Sequence, residues 1–317
     1  MDLVDTLRKK IEVLDDGDYV PGLKAVLRHI ETAFRHLSRG QDTDDDTAFT
    51  DAIYRTNQAF EGSIKEAYRV LADQDPAKKR PYDIENYLEQ NNTFRSRVLS
   101  QLTTYRTEWR NPSTHDYKLD FDGSEAFLAI VSVSAFACLL LDQIAERLSF
   151  KKSQAEAEAQ KVALAANLAQ SQNAALLVRA TELLSQFCSQ HLPQSTPTGK
   201  QSESQLVGAL HGFLSSAAPE LTVQTEAVLD AAKHYRADLL LSRDDEKVII
   251  EIKRRMMKQG ISNAMVQVES YLAISETQNG IVIFLPEVPS EMDRKETPRP
   301  GGVGSLVVMT PASAVGA

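Results

Sequence analysis

The chain has 317 residues, of which 42% are hydrophobic and 25% are charged, and its formal net charge is −9. This length is enough for two domains that each bury a core. The negative charge excludes a protein that coats nucleic acid through bulk charge, so any contact with a phosphate backbone needs a local basic patch. The two cysteines, Cys138 and Cys188, give neither a disulfide framework nor a metal-binding spacing.

Residues 1–148 are predicted to form an all-α bundle of about five helices. Apolar residues recur at spacings of three and four in residues 3–14, 23–37, 49–71 and 87–109. Asp122 and Glu125 form a capping pair that predicts the start of the last helix, which contains the apolar run 126–141. That run is shorter than the roughly 20 residues of a bilayer span, and the N-terminus lacks a signal core, so we expect a cytoplasmic protein without a membrane segment.

The rest of the chain is predicted to hold a helical connector, a linker and a mixed α/β domain. Residues 149–192 contain neither Gly nor Pro, which favours a connector that can be one long helix. Residues 193–204 contain two prolines and a glycine and are typical of a linker. In residues 205–317, short apolar segments at 222–228, 238–242, 247–253 and 280–285 predict strands, and 205–217 and 263–275 predict helices. The fold class is therefore α + α/β.

A β-hairpin is predicted around the polar stretch 243–246. A turn centred between Asp244 and Asp245 places Asp238 opposite Glu251 on the neighbouring strand. Lys253 lies two residues further along and shares that face. The other face is predicted to be a core face, since it carries Leu239, Leu241, Val248, Ile250 and Ile252.

Two opposed carboxylates repel each other, and folding alone gives no reason to place them beside apolar strands. A divalent cation gives such a reason, because Mg²⁺ or Mn²⁺ takes oxygen ligands from one or two carboxylates together with phosphate and water. We therefore predict that Asp238 and Glu251 bind the metal. Lys253 would orient a water molecule or neutralise charge on a phosphoryl group. The alternative is a solvated strand end on which Glu251 and Lys253 are ordinary surface charges.

The segments 237–241 and 248–253, together with Gln267 and Tyr271 one turn apart on the following helix, resemble the PD-(D/E)xK nuclease superfamily in its RecB-like and Mrr-like branches. The resemblance implies that Lys253 is catalytic and that Gln267 and Tyr271 hold the site or the nucleic-acid backbone. It also makes Glu203 the candidate acid on the preceding helix. Ala237 stands where the proline of the family name would be.

Basic residues flank the predicted site on both sides. These are Arg254, Arg255 and Lys258 after it, and Lys233, His234 and Arg236 before it. On an acidic chain such a cluster is where a phosphate backbone can dock. The alternative is a solvated charged face, which is the usual fate of charge runs.

A second candidate site is the sequence from Arg110 and Asn111 to His115, in which Pro112 is predicted to interrupt the helix. In a helical bundle this pattern resembles the HEPN superfamily, over about residues 1–148. The resemblance implies a metal-independent ribonuclease site at a dimer interface. There His115 would act in acid–base chemistry, Arg110 would stabilise the phosphate and Asn111 would position both.

Simpler structural roles are open for the same residues. Arg110 can pair with Glu108 or Asp116, and His115 can be a plain loop residue. Glu61 and Lys65, four residues apart on a middle helix, either line the same cleft or form an ordinary salt pair.

Together these observations predict a two-domain, metal-dependent nuclease that binds DNA or RNA and forms a homodimer. The domain combination resembles bacterial anti-phage defence effectors. Two alternatives stay open. One is a HEPN ribonuclease toxin whose C-terminal domain only binds nucleic acid, and the other is a non-catalytic dimeric nucleic-acid-binding module.

Overall fold

A computed structural model describes residues 2–115, 118–193, 201–232, 234–254, 258–299 and 303–312 of the protein. The chain divides into two compact units, Met1–Arg147 and Leu148–Ala317. The first is helical and the second contains a six-stranded mixed sheet, which agrees with the predicted α + α/β class at this coarse level. The domain boundary predicted from the sequence follows residue 148, and the boundary between the two units follows Arg147.

The first unit is built from helices that bury apolar side chains against one another. Its helices are α1 Leu3–Glu12, α2 Val20–Thr43, α3 Thr47–Leu71, α4 Pro81–Gln90, α5 Ser96–Tyr105, a π-helical turn Arg106–Arg110, α6 Asn111–His115 and α7 Gly123–Ala159, of which residues up to Arg147 belong to this unit. Fully buried side chains in the core include Ile30, Ile53, Phe60 and Phe136.

The predicted helix 87–109 is wrong, because the chain is interrupted in its middle. Asn92 has a φ of 49°. The N–H groups of Asn92 and Thr93 donate to the carbonyls of Glu89 at 3.1 Å and Leu88 at 2.9 Å. This is the hydrogen-bond pattern of a helix that ends in a left-handed residue. The segment is therefore divided between α4 and α5.

The start of α7 agrees with the predicted capping pair. The backbone N–H of Asp122 donates to Glu125 Oε2 at 2.9 Å, and the N–H of Glu125 donates to Asp122 Oδ1 at 2.8 Å. Among the described residues, only α7 is long and apolar enough to cross a bilayer, and half of its most apolar window is buried in the protein. Core helices of soluble proteins share these properties, so the helix is weak evidence for a membrane segment.

The second unit places one sheet between two layers of helices. Its helices are the remainder of α7, α8 Lys161–Leu168, a 3₁₀ turn Ala169–Ser171, α9 Leu176–Gln186, a π-helical turn Phe187–His191, α10 Glu203–Ala217 and α11 Lys258–Ser275. Its strands are β1 Thr222–Val228, β2 Arg236–Arg243, β3 Glu246–Lys253, β4 Asn279–Phe284, β5 Met292–Pro298 and β6 Ser305–Pro311. The sheet order is β1-β2-β3-β4-β6-β5. Pairs β3–β4 and β4–β6 are parallel and the other pairs are antiparallel.

The segment 149–192 is not one long connecting helix. It breaks after Ala159 and again around residues 169–175, and it belongs to the second unit. Its apolar side chains, among them Leu164, Leu176 and Phe187, join the core on one face of the sheet. A straight helix would have exposed these residues, so burial against the sheet decides where the helix breaks.

The ends of the second unit also depart from the predictions. Residues 194–200 of the predicted linker lie outside the described residues, while Ser202 already caps α10 through a capping box with Gln205. Strands β5 and β6 lie after the last strand that the sequence predicts, at residues 280–285. Strand β5 is an exposed edge strand with several charged residues, and such strands lack the apolar alternation that reveals a strand.

Candidate active site

The β2–β3 hairpin has the predicted register. The paired positions run from Leu239↔Ile250 to Arg243↔Glu246, on either side of a turn at Asp244 and Asp245. The predicted core face is confirmed, because its five residues all belong to the cluster under α9 and α10: Leu239, Leu241, Val248, Ile250 and Ile252. The opposite face of the sheet packs against α11.

Asp238 departs from the regular pairing. The paired register stops at Leu239↔Ile250, one step short of the predicted pair between Asp238 and Glu251. The carboxylate of Asp238 instead accepts a hydrogen bond from the backbone N–H of Ile252, at 2.7 Å from Oδ2. Its side chain therefore replaces backbone pairing at this end of the hairpin.

Glu251 is the most buried carboxylate of the site. It lies on β3 between β2 and β4 and is only 4% exposed. Its Oε1 accepts a hydrogen bond from Lys253 Nζ at 2.7 Å. Its Oε2 is buried and has no hydrogen-bond partner among the described residues. The site thus holds one buried carboxylate oxygen that no described donor satisfies.

Helix α11 contributes the remaining two predicted residues of the site, Gln267 and Tyr271. Lys253 Nζ also donates to Gln267 Oε1 at 3.2 Å, and Gln267 Nε2 donates to the hydroxyl of Tyr271 at 2.7 Å. Gln267 and Tyr271 are one helical turn apart, as the sequence requires. The structure thus joins four of the five predicted site residues in one continuous chain of hydrogen bonds: Glu251, Lys253, Gln267 and Tyr271.

The electrostatics link Asp238 to the other acids. Burial, and after it the negative charge of Glu251, raises the pKa of Asp238 to about 7. The N–H of Ile252 and the charge of Lys253 oppose this rise in pKa. The charge of Glu203, at the start of α10, also raises the pKa of Asp238, so this predicted third acid lies within electrostatic range.

Two carboxylates and an unsatisfied buried oxygen fit a hard divalent cation. The described residues contain no group of three or more His, Cys, Asp or Glu side chains that could hold a metal ion. Mg²⁺ does not need one, since it binds through one or two carboxylates and keeps water or phosphate on its other positions. Asp238 and Glu251 are the residues that could hold it.

The predicted basic cluster is only partly described. Arg254 is exposed, and Arg236 lies 3.9 Å from Glu226. His234 is exposed and lies 3.9 Å from Asp230. Lys233, Arg255 and the side chain of Lys258 lie outside the described residues, although Lys258 begins α11.

The second candidate site does not have the predicted break. Backbone torsions are helical through Asn111, and α6 continues to His115. The π-helical turn Arg106–Arg110 precedes Pro112, and the N–H of Asn111 donates to the carbonyl of Arg106. This wider turn accommodates the missing N–H and the ring of proline, which would clash in a regular α-helix.

Arg110 and His115 are not brought together. An offset of five residues separates side chains by roughly 140° around a helix axis. Arg110 donates to Asn111 Oδ1 at 3.0 Å and lies 3.9 Å from Glu61, while His115 is exposed. The structure thus pairs Arg110 with Glu61 rather than with Glu108, and Asp116 lies outside the described residues.

Sequence reasoning missed two polar features. One is the hydroxyl of Tyr105, whose oxygen lies within hydrogen-bond distance of Thr56 Oγ1 at 2.7 Å and of Asn57 Oδ1 at 2.9 Å, while Asn57 Nδ2 donates to Ser113 Oγ at 2.8 Å. The other is the exposed Tyr235, whose ring lies 6.3 Å from that of Tyr271, centroid to centroid. No local pattern marks either feature, since both depend on residues far apart in the chain.

Comparisons with protein-family models, with curated proteins and with solved structures found no match to this chain.

Proposed function

We propose that the second unit is a metal-dependent nuclease that cleaves phosphodiester bonds of DNA or RNA with Mg²⁺ or Mn²⁺. The observation that carries this proposal is the buried Oε2 of Glu251, which has no hydrogen-bond partner among the described residues. The other oxygen of the same carboxylate, Oε1, accepts a hydrogen bond from the ammonium of Lys253. Burying such an oxygen without a donor is unfavourable. A cation shared with Asp238 would satisfy it and would offset the repulsion between the two acids.

Each residue of the site has a role that follows from its contacts. Asp238 and Glu251 would hold the metal, which when bound polarises a phosphoryl oxygen and lowers the pKa of a bound water. Lys253, held by Glu251 and Gln267, presents a positive charge where negative charge develops on the phosphate. Tyr271 fixes the amide of Gln267 and so restricts the position of the lysine.

The substrate and the biological setting rest on the sequence. Arg254 and Arg236, with Arg255 and Lys258, would contact the phosphate backbone. The resemblances to PD-(D/E)xK and HEPN proteins support a homodimeric, cytoplasmic anti-phage defence effector as the wider role.

A cleavage assay tests the proposal directly. Wild-type protein, Asp238→Ala, Glu251→Gln, Lys253→Ala and His115→Ala are incubated with single- and double-stranded DNA and RNA, in Mg²⁺, in Mn²⁺ and in chelator. Asp245→Asn, which changes an exposed acid in the turn of the same hairpin, is the matched control. We expect the three site variants to lower the cleavage rate at least about 100-fold. His115→Ala and Asp245→Asn should cleave like the wild type.

The same assay distinguishes the proposed function from the two alternative functions. Cleavage that survives chelation and is lost in His115→Ala would replace this proposal with the HEPN ribonuclease. Binding without cleavage under every metal condition would favour the non-catalytic nucleic-acid-binding module.

A further inference from the structure

Glu226 has a backbone conformation that is out of place in its strand. Six described residues other than glycine have positive φ angles. Four of them lie within two residues of the end of a helix, and a fifth occupies the β2–β3 turn, where left-handed residues are routine. These five are Asp44, Asp73, Asn92, Glu276 and Asp244. Glu226, with a φ of 46°, is the exception, because it lies inside β1.

The sheet is interrupted at the residue opposite Glu226. The β1–β2 ladder pairs Thr225 with Leu239 and then Ala227 with Ala237, so it passes over Glu226 and Asp238. The β2–β3 ladder ends at Leu239. Asp238 therefore lies between two paired residues of β2 but has no paired position on either neighbouring strand.

Strand β2 also turns about its own axis at this point. Residues two apart in a strand normally face the same side of a sheet. Leu239 and Leu241 belong to the core cluster under α9 and α10, whereas Ala237 belongs to the cluster under α11. The change of face coincides with Asp238, whose carboxylate turns to accept the N–H of Ile252 at 2.7 Å.

A left-handed conformation costs free energy in a residue with a side chain, and it persists only where its surroundings maintain it. The carboxylate of Glu226 lies 3.9 Å from the guanidinium of Arg236, on the neighbouring strand. Irregularities of this kind next to active sites re-aim a side chain by bending the strand.

We propose that the left-handed backbone of Glu226 positions Asp238 for metal binding, by interrupting the ladder so that the carboxylate turns toward Ile252 and Glu251. Glu226 is a positioning residue, and its backbone conformation, rather than its carboxylate, performs the role. The link from Glu226 to metal binding and catalysis rests on the proposed function. The effect of Glu226 on the position of the Asp238 carboxylate can be tested without metal.

Two substitutions distinguish the effect of the backbone conformation of Glu226 from the effect of its carboxylate. Glu226→Gly removes the carboxylate and keeps the left-handed conformation accessible, whereas Glu226→Val disfavours that conformation and favours a regular strand. Asp244→Val imposes the same backbone conflict in the hairpin turn and serves as the matched control. The first readout is the amide resonance of Ile252 in metal-free protein, and the second is the affinity for Mn²⁺ measured by calorimetry.

We expect Glu226→Val to move the Ile252 resonance and to weaken Mn²⁺ binding by about 10-fold or more, as for other residues that orient a metal ligand. Glu226→Gly and Asp244→Val should leave the resonance in place and the affinity within about twofold of the wild type. If Glu226→Val does not fold by circular dichroism, Glu226→Ala makes the same comparison with a smaller side chain.

Two results would overturn the proposal. One is an unchanged Ile252 resonance in the folded Val or Ala variant. The other is an equal loss of Mn²⁺ affinity in the Gly and Val variants, which would assign the effect to the carboxylate. A wild type that binds no Mn²⁺ would instead defeat the proposed function, while the Ile252 resonance would still decide whether Glu226 positions Asp238.

Discussion

Glu251 and Asp238 are costly residues for a protein without a ligand at this site. Glu251 is 4% exposed, and one of its carboxylate oxygens has no hydrogen-bond partner in the described part of the chain. Burial and the charge of Glu251 raise the pKa of Asp238 to about 7. The sequence predicts the two acids and the lysine, since they occur at positions that a two-residue turn brings to one face. It does not predict the depth of their burial, because that depends on α11, which lies further along the chain.

Replacing Asp238 by Asn should stabilise the metal-free protein at alkaline pH. The pKa of Asp238 in the folded state lies above its unfolded value, so the folded protein binds more protons between about pH 4 and pH 7. The stability that this group contributes is therefore present at low pH and is lost as the pH rises through that window. Asn does not titrate, so the variant should lack this loss. Relative to the wild type, its free energy of unfolding should therefore be higher at pH 8 than at pH 4, by on the order of 1–3 kcal/mol.

Urea unfolding in chelator at pH 4, 6 and 8 measures this difference, and Asp245→Asn is the control because its side chain is exposed. A difference between Asp238→Asn and wild type that stays constant with pH would show that Asp238 titrates normally in the folded protein. The same variant should lose Mn²⁺ binding, so stability and function should move in opposite directions.

At the scale of elements, local signals predict boundaries well where they act alone. The capping pair of Asp122 and Glu125 and the register of the β2–β3 hairpin both agree with the sequence, since each depends on residues close together in the chain. The single helix expected over 149–192 and the break expected at Pro112 fail. In both cases packing or a neighbouring π-helical turn outweighs the local preference.

The start of α10 provides an element-scale prediction. Ser202 Oγ accepts the N–H of Gln205 at 3.2 Å, and Gln205 Oε1 accepts the N–H of Ser202 at 2.8 Å. Ser202→Ala should therefore lower the free energy of unfolding by about 1 kcal/mol, because the N–H of Gln205 loses its acceptor, Ser202 Oγ. Ser204→Ala, in the same turn, should be close to neutral. Urea unfolding measures both, and equal losses would contradict a specific capping role for Ser202.

At the scale of the whole molecule, the proposed chemistry belongs to the second unit alone. The acids, the lysine and α11 all lie within Leu148–Ala317, and the two units are separately compact. The first unit has its own core and a buried hydroxyl network around Tyr105, and neither involves the proposed metal site.

Mn²⁺ should therefore stabilise the second unit selectively. At pH 8, where a proton no longer competes at Asp238, a cation at 100 times its dissociation constant should add about 2.7 kcal/mol to the stability of the form that binds it. Hydrogen–deuterium exchange followed by mass spectrometry should show protection in peptides of β2, β3 and α11. Glu251→Gln should abolish that protection. Protection that centres instead on peptides around Arg110 and His115 would contradict the assignment of the metal to the second unit.

The sequence by itself determined the two-part architecture at a coarse level, the strands at the centre of the sheet and the register of the β2–β3 hairpin from its turn to Leu239 and Ile250. These features follow from periodicity, caps and a short turn, all of which act over a few residues. Only the tertiary structure decided that Glu251 is buried with one oxygen that no described donor contacts, that Glu203 is close enough to influence Asp238, and that Glu226 interrupts the ladder opposite Asp238. The physical reason is that burial, long-range electrostatics and strain arise from contacts between segments that are distant in the chain.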